Sequence, residues 1–160
     1  MDLLLEEMAR TAELIYEVNT LMKNVGGSMD ASFINGAEEG KNIDIEELDD
    51  EQRELVEKRK QSFESYNKVI GMIDALDKEE KEELAGYVDD LVERNLVRLA
   101  EDELAYQNII ELITAPGFSF EGNEEYKQKI IDLKEEYNRR YSITQFYERM
   151  AAYLTTYKKK

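Results

Sequence analysis

Apolar residues recur at helical spacing along almost the whole chain. From Asp2 to about Asn24, Leu4, Met8, Thr11, Ile15, Val18 and Met22 step by alternating fours and threes, a heptad seam with one polar member, Thr11. Leu5, Ala12 and Leu14 widen the apolar face beyond a strict two-stranded seam, and Gly26-Gly27 stops the helix. A second helix is expected from about Asp49, where Asp49 and Gln52 have capping-box spacing. Its stripe is Val56, Phe63, Tyr66, Ile70 and Ile73, and the pattern ends at Leu76-Asp77.

Asp77 and Glu80 repeat the capping spacing and open a third helix. Leu84, Val88, Leu91, Val92, Leu96, Leu99, Tyr106, Ile110 and Ile113 keep its period through to Thr114. At 1.5 Å per residue such a helix runs roughly 54 Å, long for a globular protein, so a kink near Asn95 or Glu101-Asp102-Glu103 is an expected accommodation. Ala115-Pro116-Gly117 ends it, with the chain's single proline beside a glycine. Phe118-Ser119-Phe120-Glu121-Gly122 reads as a short aromatic loop. Asn123 then caps a fourth helix with Tyr126, Ile130, Leu133, Tyr137 and Tyr141 on its stripe. Ser142 and Gln145 show the capping spacing a third time, which predicts a fifth helix carrying Ile143, Phe146, Tyr147, Met150, Leu154 and Tyr157. No segment alternates with the period of a strand. The expected fold is all-α: a single domain over residues 1–160, a bundle of about four to five helices elongated by a long central one.

Residues 25–48 are the one long irregular stretch. Four glycines (Gly26, Gly27, Gly36, Gly40) are interspersed with Met29, Phe33, Ile34, Ile43, Ile45 and Leu48. The plain reading is a connection whose apolar residues pin it to the bundle; the sharper one is a loop that orders on a partner.

Composition then removes whole classes of chemistry. An apolar fraction of 42% suffices for a core and is too high for a disordered chain. No run of 18 apolar residues occurs, and acids (Asp2, Glu6, Glu7) stand where a signal peptide needs bases, so a cytoplasmic protein with no membrane segment is expected. There is no cysteine and no histidine. That leaves no thiolate, no usual general base at neutral pH and no soft metal ligand. Phosphate-binding glycine loops are missing, and serine nucleophiles have no histidine partner. Neither an enzyme nor a cofactor is expected.

The net charge of −16 is distributed unevenly. Residues 1–122 hold 31 acids against 12 bases, net −19, whereas residues 123–160 hold six acids against nine bases, net +3. The densest acidic stretch contains Glu38, Glu39, Asp44, Glu46, Glu47, Asp49, Asp50, Glu51 and Glu54. An EF-hand started at Asn42 would place Asp44 and Glu46 correctly but lacks the turn glycine, having Glu47 there. A solvated helix start, with acids favoured by the helix dipole, accounts for much of the stretch. A second acidic cluster comprises Glu79, Glu80, Glu82, Glu83, Asp89 and Asp90. A field of this sign disfavours direct contact with nucleic acid and attracts basic surfaces, including the nucleic-acid-binding grooves of other proteins.

Six of the ten tyrosines follow residue 122, interleaved with Lys127, Lys129, Lys134, Arg139, Arg140 and Arg149. At helical spacing such tyrosines are ordinarily core rings with wet hydroxyls. Tyr137, Arg139, Arg140, Tyr141, Tyr147, Arg149 and Tyr153 are also residue types that anchor interfaces, or that stack on single-stranded nucleic acid.

The leading expectation is a non-catalytic protein-binding module, an inhibitor or antagonist docking one or both acidic clusters on a basic partner. The charge is similar in kind to that of small acidic anti-defence proteins of phages, with no shared motif. The alternative is a structural or assembly-chaperone subunit pairing through helix 1 and the tyrosine-rich C-terminal helices, a role compatible with a homo-oligomer. The third is a small nucleic-acid-binding subunit using the basic C-terminal segment.

Overall fold

The computed structural model describes residues 1–25 and 50–158. They form four α-helices, with no strand among the described residues: α1 (Asp2–Val25), α2 (Asp50–Asp74), α3 (Lys78–Ile113) and α4 (Glu125–Lys158). The all-α bundle expected from periodicity is therefore the architecture. Most of the 25–48 connection lies outside the described residues. Two compact units are formed, residues 1–82 and 83–160.

In the first unit α1 packs on α2. The pairs Glu7–Ser65, Glu17–Lys58 and Val18–Leu55 descend one helix as they climb the other, so the two run antiparallel. Leu4, Met8, Thr11, Ala12, Leu14 and Val18 are buried on α1, much as the heptad seam predicts, while Met22 at its end is exposed. The face of α2 differs from the expected stripe. Leu55, Val56, Ser62, Ser65, Val69 and Ile73 are buried, and Phe63 is exposed. The seam of α2 thus passes through two serines, and the large ring beside them turns to solvent. Small hydroxyl side chains let the helices approach closely there, provided the hydroxyls find partners.

The turn between α2 and α3 follows the sequence signal closely. Glu80 N–H donates to Asp77 Oδ1 at 2.8 Å, and Asp77 N–H donates to Glu80 Oε1 at 3.2 Å. Both halves of a capping box are made, and they satisfy two of the amides that a helix start leaves unpaired. From there α3 runs 36 residues without interruption through Asn95 and Glu101–Glu103, where a kink was an expected accommodation. Its amphipathic face has no proline to break it, and its only internal glycine, Gly86, is tolerated.

In the second unit α3 and α4 are joined by residues 114–124. Thr114 Oγ1 donates to the Ile110 carbonyl at 2.7 Å, closing α3 ahead of Pro116. Gly117 and Gly122 take φ of +86° and +82°, a conformation that side chains with a Cβ rarely adopt. Phe118, Phe120 and Tyr126 meet edge to face in this turn, with the Lys127 and Lys129 ammonium groups each 5.1 Å from a ring centroid. Asn123 does not cap through its side-chain oxygen as expected: its Nδ2 donates back to the Ser119 carbonyl at 3.0 Å.

The fifth helix expected from Ser142 is instead the second half of α4. Ser142 is buried in mid-helix, and Thr144 Oγ1 donates to the Arg140 carbonyl at 2.6 Å, one turn back. Capping spacing without a glycine or proline to break the preceding turn leaves helix propagation as the cheaper outcome. Asp102–Arg140 and Tyr106–Lys134 contacts set α3 antiparallel to α4. Among the described residues, no helix is long and apolar enough to cross a membrane.

Replacing Asp77 by alanine should lower the urea-unfolding free energy by about 1 kcal/mol, the usual cost of an N-cap. Asp77→Asn, which keeps the acceptor, should recover most of it.

Candidate functional site

Three groups of side chains carry the chemistry. The first lies between α1 and α2. Ser65, 4% exposed, donates from Oγ to Glu7 Oε1 at 2.8 Å. Thr11 Oγ1 is 2.8 Å from the Glu7 carbonyl, to which it donates, and 2.6 Å from Ser65 Oγ. Glu7 is itself buried, with Arg10 Nη1 at 3.8 Å and Lys68 Nζ at 3.9 Å from its two oxygens. A carboxylate withdrawn from water is thus met by a hydroxyl and flanked by two cations. Ser65-Tyr66-Asn67-Lys68 also has the S-x-x-K spacing of serine–lysine nucleophiles. Here the serine hydroxyl is buried and directs its proton at Glu7, and the lysine amine, largely exposed, lies at the other oxygen of the same carboxylate. Two helices in fixed register explain this arrangement fully.

The second group is on α4 and the facing part of α3. Arg140 bridges Asp102 through Nη1 and Glu136 through Nη2, the latter at 2.7 Å. Arg140 and Asp102 are each only 19% exposed, so the guanidinium holds α4 on α3 and is not a free contact group. Tyr137 and Tyr141 stack at 6.1 Å and 13°; Tyr137 is half-buried and Tyr141 exposed at 47%. Arg139 and Arg149 are exposed, and Tyr153 is half-buried. Tyr147 is core, edge to face with Phe146 at 5.3 Å. The C-terminal set read from sequence therefore divides into structural members (Arg140, Tyr147) and surface members (Arg139, Tyr141, Arg149).

The third group is acidic. Glu38, Glu39, Asp44, Glu46, Glu47 and Asp49 lie outside the described residues. Asp50 and Glu51 are exposed in the first turn of α2, with Asp50 3.9 Å from Arg53. On α3, Glu79, Glu82, Glu83, Asp89 and Asp90 are all exposed. Asp90 pairs with Arg94 at 2.9 Å, one turn on, whereas Glu79, Glu82, Glu83 and Asp89 have no ion-pair partner among the described residues. Glu80 is engaged by the capping box and is half-buried.

Sequence reasoning missed the Glu7–Thr11–Ser65 cluster and the Asp102–Arg140 bridge. The polar interruption at Thr11 was a signal for the first; the second has none, since Asp102 and Arg140 are ordinary polar positions on separate helices.

No family model matches the chain, and neither a curated protein nor a solved structure is significantly similar to it.

Arg140→Met should destabilise the protein by about 2 kcal/mol in urea unfolding, because it leaves Asp102 mostly buried without its cation. The double change Asp102→Leu with Arg140→Met should cost clearly less than the two single changes added together. Ser65→Ala should cost about 1–3 kcal/mol by stripping Glu7 of its buried donor.

Proposed function

We propose that this protein is a non-catalytic binding module that docks an acidic surface on a basic groove of a partner protein, as an inhibitor or antagonist does. The observation supporting this is the exposed run of Glu79, Glu82, Glu83 and Asp89, carboxylates on one continuous helix with no internal cation against them among the described residues. The helix dipole favours Glu79 in the first turn of α3, but like charges three or four residues apart, as in Glu79 with Glu82 and Glu83, cost a few tenths of a kcal/mol per pair. A basic partner converts that cost into attraction and speeds encounter. Asp50 and Glu51 stand at the end of α2 remote from the start of α3 and, with Glu38, Glu39, Asp44, Glu46, Glu47 and Asp49 on sequence grounds, are a second candidate set for the same kind of contact. Glu80 is left to its capping role. A groove that otherwise holds DNA or RNA is the class of partner such a surface fits, which is the anti-defence type of action.

The alternative, a helical assembly or chaperone subunit, is supported on α4 by the exposed Tyr141 stacked on Tyr137 and by the exposed Arg139 and Arg149. The apolar seam of α1 is already occupied by α2.

Immobilised protein should capture a basic partner from the source cell at low salt. The measured Kd should then weaken by about tenfold or more as salt rises past physiological strength. A variant with Glu79, Glu82 and Glu83 changed to Gln and Asp89 to Asn, helical by circular dichroism, should lose most of that binding. Retention of the partner in high salt, or by this variant, would overturn the proposal.

A further inference from the structure

Between α3 and α4 of the second unit there is a cleft of about 420 Å³ lined by Glu103, Tyr106, Leu133, Lys134, Tyr137 and Asn138. That volume falls within the range of small-molecule sites. Its lining follows from helical spacing: Glu103 and Tyr106 stand one turn apart on α3, as do Leu133 with Tyr137 and Lys134 with Asn138 on α4. Leu133 supplies apolar surface, and two half-buried tyrosines supply aromatic surface. The Lys134 ammonium lies 5.8 Å from the Tyr106 ring centroid. Glu103 and Lys134 carry opposite charge and share the cleft, yet they are paired neither with each other nor with any other described charged group.

We infer that this cleft is a binding site for a small zwitterionic aromatic molecule, of the chemical class of an aromatic amino acid. The charges select the class. A simple anion would meet Lys134 but also the Glu103 carboxylate and the field of a protein with net charge −16. A simple cation would meet Glu103 but also the Lys134 ammonium. A ligand carrying both signs on a short backbone satisfies both groups at once, its carboxylate toward Lys134 and its ammonium toward Glu103. An aromatic side chain then takes the remaining surface, against the Tyr106 and Tyr137 rings and Leu133. The site is distinct from the acidic run on α3 proposed to meet a protein partner, and its failure would leave that reading untouched.

The chain has no tryptophan, so excitation at the red edge of indole absorption reports on an indole ligand without protein background. L-tryptophan titrated with the full chain should show a saturating rise in fluorescence anisotropy. N-acetyl-L-tryptophan, without the ammonium, and tryptamine, without the carboxylate, should each bind at least fivefold more weakly. Glu103→Gln should weaken L-tryptophan and tryptamine but not N-acetyl-L-tryptophan; Lys134→Gln should weaken L-tryptophan and N-acetyl-L-tryptophan but not tryptamine. Both positions are exposed, so the variants should fold, which circular dichroism checks. No anisotropy change at millimolar protein and ligand would overturn the inference. So would equal binding of all three ligands, or tryptamine binding alone, which would report only attraction to an acidic surface.

Discussion

A carboxylate taken out of water has to be met by donors, and the first unit is arranged around that requirement. Glu7 sits in the contact between α1 and α2, where Ser65 supplies the donor and Arg10 and Lys68 supply compensating charge. The apolar burial on either side, Leu4 and Met8 on α1 or Leu55 and Ile73 on α2, would tolerate a slip of one helix along the other better than this cluster would. Sliding α2 by one turn would bring a different side chain to Glu7 and leave a buried charge without its hydroxyl. Hydrophobic area drives the two helices together, and the polar group selects one register among those the area allows.

The second unit meets the same need differently. Arg140 ties Asp102 across the interface and Glu136 one turn back on its own helix, so a single guanidinium fixes the height of α4 against α3. Toward the base of the hairpin from this tie, Val88 and Leu99 on α3 and Phe146, Met150 and Leu154 on α4 are buried.

Element existence was legible wherever the determining signal was local. The capping box at Asp77 and Glu80, the stop at Pro116-Gly117 and the seam of α1 all depend on residues within a few positions of one another. What escaped depends on partners far along the chain. Ser62 and Ser65 read as polar positions and Phe63 as a core ring. Ser65 is buried instead because Thr11 and Glu7, more than fifty residues earlier, supply the hydroxyl and carboxylate that make a buried serine acceptable, and Ser62 is buried on the same helix while Phe63 is exposed. Ser142 and Gln145 imitated a helix start because the motif is two residues and a spacing, whereas a real start also needs the preceding turn to be broken. Of the candidate contact residues, the charge on α3 was plain from the sequence, but the half-burial of Glu80 in its capping box and the division of the C-terminal set into Arg140 and Tyr147 inside and Tyr141 and Arg149 outside required the packing.

The uneven burial along the α3–α4 hairpin has a dynamic corollary. Past Leu99 on α3 and before Ser142 on α4, none of the described side chains is fully buried; the arm beyond is held by half-buried aliphatic residues such as Ile109, Ile110, Ile130 and Leu133, by an ion pair and by ring contacts. Such an arm opens in local steps that do not require the base to unfold, so its amides should exchange with solvent hydrogen by routes of lower free energy than those near Val88 and Met150. One long hairpin is thereby divided into a base held by fully buried side chains and a tip held by half-buried ones.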